Sequence, residues 1–230
     1  MPRAAASPHH GYRGGMRVCL ASTSPARLML MRQSGIDPET LVPEVDEEAV
    51  VAAVEAAENR MLEPAEYVLL LARRKAADVA ARLAADDPAF DGLVIGGDSM
   101  FVLDGQILGK PYTPEVATAR WQQMRGRTGI LHSGHSVYRL RPGATPAEAH
   151  ASAEASVTFA ADVTDDEIAA YVATGEPLLV AGAFTIDSLG GPFIDRVDGD
   201  PSTVVGMSLS TLRRLVRELG VRWTDTWTSS

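Results

Sequence analysis

The chain has 230 residues, of which 46% are apolar and 30 are acidic against 21 Lys plus Arg, leaving a net charge of −9. This apolar content suits one sizeable core and excludes a mainly disordered chain, while an acidic balance without a basic tract disfavours a nucleic-acid polymer as partner. The lone Cys19 excludes an internal disulfide or a CxxC metal site and fits a cytoplasmic setting, and no apolar run has the length of a membrane span or signal peptide.

Residues 1–15 are rich in Pro, Gly, Ala and His without periodicity, so they are expected to form a disordered N-terminal extension, with Met16 as an alternative start. A single domain is expected over 16–220, followed by a C-terminal tail over 221–230. Within it, Arg17 to Ala21 reads as an apolar strand, and Ser24-Pro25 opens a helix that Gly35 ends. Counting from Ser24 as N-cap places Arg27 at the third helical position, where the helix dipole disfavours a cation. A bound anion held by Ser22, Ser24, the free helix N–H groups and Arg27 accounts for it. A plain cap with a snorkelling arginine is the alternative. The motif is not a Walker A loop, because GxxxxGK[ST] is absent.

Thr40 to Val45 is expected as a second strand, ending in Asp46-Glu47-Glu48, an acidic run that by itself reads as solvated. Pro64 opens an Ala-rich helix to about Leu83, with a stripe of Val68, Leu71, Ala72, Ala76, Val79 and Leu83. Lys75 falls in that stripe. An ammonium on an inward face must snorkel or meet a negative partner, and a cleft along that face provides for the second.

The run VIGGDSMFVLDGQILGKP, Val94 to Pro111, places a carboxylate and an ammonium on neighbouring backbone. Val94 and Ile95 read as a strand end, and Asp104-Gly105 as a tight turn joining two short strands. Gly96-Gly97 leaves Asp98 unshielded, and Pro111 sets the exit direction after Lys110. Thr113 starts another helix through Trp121 and Met124, after which Ile130 to Leu140 and Ala151 to Val163 read as strands. His132 and His135, three apart on a strand, face opposite sides and make poor co-ligands. Thr164 caps a helix that Gly175 stops, Ala181 to Asp200 is a Gly- and Asp-rich loop, and Ser208 to Leu219 is a final amphipathic helix.

Together these pieces resemble the Maf-like nucleoside triphosphate pyrophosphatases over roughly Val18 to Gly220. The resemblance rests on Leu20-Ala21-Ser22 with Ser24, Pro25 and Arg27, on Asp46-Glu47, Lys75, Gly97-Asp98-Ser99 and Ile107 to Pro111. It continues through Gly126-Arg127-Thr128, Thr174 to Pro177, Ala181 to Ser188, Gly199-Asp200 and Val204 to Met207. It implies an α/β fold with a long mixed, twisted sheet, flanking helices and a deep central cleft, in a cytoplasmic homodimer. It further implies hydrolysis of a nucleoside triphosphate between the α and β phosphates with a divalent metal, Mg²⁺ or Mn²⁺. On that basis Asp98, Lys110 and Lys75 are the expected catalytic residues, and Ser22, Ser24 and Arg27 bind phosphate. Glu47 and Asp98 are the expected metal ligands, leaving Asp98 open as base or ligand, and Ala183, Phe184 and Asp187 face the base.

This sequence departs from the family pattern at Ala26, where many relatives carry a second arginine, at Gly129 in place of histidine, and at Leu179-Val180 in place of Asp-Lys. Asp187 stands where relatives acting on thymidine and uridine triphosphates carry glutamine. An ionised aspartate only accepts hydrogen bonds, so a different base preference is expected. Non-canonical purine triphosphates are an alternative substrate class, and a non-catalytic nucleotide-binding regulator of septum formation is an alternative function.

Overall fold

A computed structural model describes residues 15–228 of the chain. One mixed sheet of seven strands, β1 (Arg17–Ala21), β2 (Glu39–Leu41), β3 (Gly92–Leu103), β4 (Gln106–Ile107), β5 (Thr128–Leu140), β6 (Ala147–Phe159) and β7 (Ile194–Gly199), forms the platform. Its order is β2-β1-β3-β5-β6-β7, with β4 pairing β3. The β1 strand runs parallel to β2 and β3, whereas β3, β5, β6 and β7 pair antiparallel in turn.

Among the described residues, seven helices flank the sheet: α1 (Pro25–Gln33), α2 (Glu47–Glu58), α3 (Pro64–Asp86), α4 (Pro114–Met124), α5 (Asp165–Ala173), α6 (Pro201–Val205) and α7 (Leu209–Glu218). The β1 strand is covered on both faces, which is why RVCLA is apolar without alternation. Val18 and Leu20 pack with α1 and α7, while Cys19 and Ala21 pack with Val79, Ala80 and Leu83 of α3. A further apolar cluster around Phe101, Trp121 and Phe159 lies under α4 and α5 at the far end of β3.

The expected caps Ser24 and Thr164 are present, and Thr113 and Ser208, expected only as helix starts, cap as well, each side chain accepting from the first turn of α1, α5, α4 and α7 respectively. Asp104 and Gly105 have φ of 49° and 77°, the two positive values that a type I′ turn between β3 and β4 requires.

Several elements differ from expectation, β2 ending at Leu41 in place of Val45 and α6 being additional. Val94 to Leu103 is one continuous strand, so Asp98 sits in its middle and not at its end. The acidic run after β2 opens α2, with Asp46 as N-cap accepting from Ala49 N–H at 3.0 Å. The Gly-rich loop contains β7, an exposed edge strand. The segment expected as a tail packs down: Val221 and Thr226 are buried, Asp225 O accepts from Met16 N–H at 2.7 Å, and Thr228 N–H donates to Gly35 O at 2.9 Å. Residues 1–14 of the expected extension lie outside the described residues, as do 229–230.

Candidate active site

One edge of β3 is taken by β5 along nearly its whole length. The other edge pairs with β1 only as far as Gly96 and with β4 only from Val102, while Phe101 O accepts from Leu108 N–H at 2.8 Å. Among the described residues, 97–100 are therefore left without a strand partner on that side. At about 3.3 Å per residue this notch is roughly 13 Å long. It opens between the end of β1, which continues into Ser22–Ser24, and the end of β4, which continues into Lys110.

Successive residues of a strand face opposite ways, and the notch uses both faces. On the α3 face, a Cβ at Gly96 would lie 2.5 Å from Ala72 O and one at Gly134 2.1 Å from Val68 O. Only glycine lets the helix settle that close, so Gly96, which the sequence offered as leaving Asp98 unshielded, serves helix packing. The close seat brings Lys75, on the buried stripe of α3, to Asp98. Lys75 Nζ lies 2.7 Å from Asp98 Oδ1 and 2.8 Å from Glu47 Oε1. The inward lysine thus has two negative partners, one from β3 and one from the first turn of α2.

On the opposite face stands Arg27. Its Nε donates to Gly206 O at 2.9 Å, one terminal nitrogen to Ser99 Oγ at 2.8 Å and the other to Ser22 Oγ at 3.4 Å. Ser99 and Ser133 also donate to Gly206 O, at 3.0 and 3.2 Å. Sequence reading missed Ser99, Ser133 and the Gly206 carbonyl as the frame that fixes the guanidinium; Ser99 and Gly206 lie within the quoted Gly97-Asp98-Ser99 and Val204 to Met207 without a role given to them, and Ser133 carried no signal. Behind that frame, buried His135 accepts from Ser208 N–H through Nε2 at 2.8 Å and donates from Nδ1 to Ala151 O at 3.2 Å. Burial pushes its pKa down to about 4, with the nearby Arg27 charge adding to the effect, so the ring is neutral.

Burial raises the Asp98 pKa, and the attraction of Lys75 and Arg27 offsets this only in part. Burial likewise lowers that of Arg27, against the pull of Asp98 and Glu47. A guanidinium stays protonated regardless. A carboxylate with raised proton affinity beside fixed cations can accept a proton from water and tolerate an anionic ligand. Glu47 and Asp98 meet at one ammonium, and among the described residues no group of three or more His, Cys, Asp and Glu forms a complete cage. Such a donor set fits Mg²⁺ or Mn²⁺, which takes one or two carboxylates and completes its shell with water and phosphate.

The matching family model is that of the Maf-like protein family, and it covers residues 17–219. The chain belongs to the Maf-like family. Its relatives include a nucleoside triphosphate pyrophosphatase of Leifsonia xyli, 60% identical over 92% of this chain and 97% of the relative. Another, of the same description, from Nocardia farcinica, is 51% identical over 90% and 95%. Among solved structures, a nucleoside-triphosphatase, dITP/XTP pyrophosphatase, from Mycobacterium abscessus aligns over 88% of this chain and 94% of that one, with a TM-score of 0.32 and 11% identity.

Of the residues that the Maf-like resemblance names, Ser22, Ser24, Arg27, Glu47, Lys75 and Asp98 come together around the notch. Lys110 is exposed and, among the described residues, makes no hydrogen bond or ion pair. It lies across the notch from Ser22, on a loop whose Gly109 carbonyl accepts from Arg120 of α4. The expected base-facing set is corrected in part. Ala183 and Phe184 are core residues, 0% and 4% exposed. Phe184 packs edge-on against Phe101 and Phe159, each with centroids at 5.0 Å, and the Ala183 carbonyl accepts from Trp121 Nε1 at 2.7 Å. Apolar side chains there fill the second core in preference to lining a cleft. Asp187 alone of the three is exposed.

Proposed function

We propose that the chain is a nucleoside triphosphate pyrophosphatase that hydrolyses the α–β phosphoanhydride, yielding a nucleoside monophosphate and pyrophosphate. The observation that carries this reading is the notch in β3, where Arg27 from one sheet face and Lys75 from the other flank a partly buried carboxylate. Phosphoryl transfer is governed by positioning and charge neutralisation, and this arrangement supplies both.

In this reading the polyphosphate lies along the notch. Ser22, Ser24, the free N–H groups of α1 and Arg27 bind it at one end, and Lys110 approaches from the other. Asp98 orients a water and takes its proton as the oxygen adds to one phosphorus of the α–β anhydride. The bridging P–O bond breaks, and its electron pair leaves on the departing phosphate oxygen, where the cations stabilise it. Lys75 holds Asp98 in place and keeps it ionised between turnovers. Glu47 and Asp98 would hold the divalent metal, which when bound neutralises further phosphate charge. Asp187, accepting only, reads the base differently from a glutamine at that position. A cytoplasmic homodimer accompanies this reading by family resemblance, and light scattering tests the assembly.

Pyrophosphate release measured across canonical and modified nucleoside triphosphates, with and without Mg²⁺ or Mn²⁺, tests the proposal. Release from at least one of them, dependent on Asp98, is expected. No release from any overturns it.

A further inference from the structure

The Thr174 to Pro177 segment contributes a carboxylate that the mechanism leaves unused. Glu176 follows α5 at the start of a short 3-10 turn, Glu176–Leu179. Five donors converge on it. Tyr171 Oη donates to Oε1 at 2.9 Å, Ser188 Oγ to Oε2 at 2.7 Å, and the Thr185 hydroxyl to Oε1. The Gly190 and Leu189 N–H groups add bonds at 3.3 and 3.4 Å. Burial opposes ionisation of this carboxyl, but the hydroxyl donors of Thr185, Ser188 and Tyr171 outweigh it and hold its pKa below the usual carboxylate range.

Four of those donors belong to Thr185–Gly190, which therefore curls around one carboxylate. The curl is tight. A Cβ at Gly190 would lie 2.6 Å from Thr185 O and 2.7 Å from the Tyr171 hydroxyl, so neither end of the loop can relax outward and keep its contacts. Asp187 sits on this loop with its side chain exposed. The segment is also tied to the loop that carries Lys110. Tyr112 N–H donates to Leu178 O at 3.0 Å, and Gly182 N–H donates to Leu108 O at 2.8 Å. One side of the notch is thus a single hydrogen-bonded unit with Glu176 at its centre.

We propose that Glu176 is the positioning residue for base selection: it fixes the Thr185–Gly190 loop and thereby sets where Asp187 meets the base, without acting on the scissile bond. This rests on the pyrophosphatase reading. A carboxylate is the fitting group because every partner is a donor. A glutamine of the same size would set its own two N–H bonds among them.

The test compares wild type, Glu176→Gln and Ser188→Ala in pyrophosphate release over a panel of canonical and modified nucleoside triphosphates. Inorganic tripolyphosphate, which has no base, serves as a competitive inhibitor. For Glu176→Gln, KM for the preferred substrate is expected to rise about tenfold and the kcat/KM ratio between best and worst base to narrow several-fold. The inhibition constant of tripolyphosphate is expected to stay within about twofold, because Ser22, Ser24 and Arg27, at the other end of the notch, hold the phosphate groups in this reading. Ser188→Ala shifts the base ratio in the same direction by less, and it decides the matter if Glu176→Gln does not fold. Unchanged base ratios, or an equal loss for tripolyphosphate and every nucleotide, overturn the inference while the enzyme reading stands. A wild-type chain that releases no pyrophosphate overturns both.

Discussion

The Lys75 ammonium reaches Asp98 at 2.7 Å from the buried stripe of α3, with both side chains shielded from solvent at 11% and 15% exposure. The contact exists because glycines at 96 and 134 let α3 lie directly on the sheet. It offsets part of the rise in proton affinity that burial gives Asp98 and so helps to hold the carboxylate charged.

Asp98→Asn keeps the shape and the acceptor oxygen but cannot take a proton. Nucleotide binding is expected within about threefold of wild type and turnover to fall by about 10³-fold, as for loss of a positioned base. The pH profile gives a second check. A base must be deprotonated, so kcat/KM should fall as pH drops through the Asp98 pKa, and burial places that limb above the ordinary carboxylate value. Unchanged turnover in Asp98→Asn would remove Asp98 from the reaction.

Lys75→Met fills the same space and strands Asp98 without its nearest cation. Breaking a buried pair from one side costs on the order of 3 kcal/mol, and losing the cation raises the proton affinity of Asp98 further. Denaturant midpoints should therefore show a loss that lessens at lower pH, where Asp98 is neutral in any case. The double variant Lys75→Met with Asp98→Asn should recover part of it. A pH-independent loss would mean that packing, and not charge, dominates at this position.

Lys110 separates function from stability more cleanly. It is exposed and bonds to nothing among the described residues, so Lys110→Ala should leave the melting temperature within about 1 °C, as surface substitutions do. Its expected cost is in kcat/KM, about 10²-fold, because a cation aimed at a phosphate acts in the transition state. If Lys110→Ala is as active as wild type, the notch is closed by some other group.

How much of this was legible beforehand differs by element. Caps and turns were, because Ser24-Pro25, Thr113-Pro114 and Asp104-Gly105 encode local geometry that no distant contact overrides. The α2 helix was missed although Asp46-Glu47-Glu48 is a good first turn; with Val51 alone fully buried, its apolar periodicity is weak. The β7 strand was missed because an edge strand with charged, exposed residues resembles a loop. At the site, Lys75 and Arg27 announced themselves by breaking a local rule, and both proved to be held at the notch. Ser99 and Glu176 broke none. Ala183 and Phe184 were carried over from the resemblance, and an apolar residue beside a glycine reads the same whether it faces a ligand or a core, so only the aromatic cluster decides.

His135 offers a prediction that needs no substrate. Its ring is buried and neutral, with Nε2 accepting from Ser208 N–H, and its pKa is depressed to about 4 from an ordinary 6.5. Between those values the unfolded chain binds a proton that the folded chain refuses. The stabilisation is therefore complete above about pH 6.5 and is lost as pH falls towards 4. A shift of that size corresponds to roughly 3 kcal/mol. Protonation would set two N–H groups against each other at Ser208, next to the Gly206 and Met207 backbone that anchors Arg27. Urea unfolding at pH 7, 6 and 5 should show the wild type losing stability steadily, and His135→Gln, less stable at pH 7, should show a flatter dependence. Parallel curves for the two proteins would assign the acid sensitivity to the carboxylates and leave His135 as a packing residue.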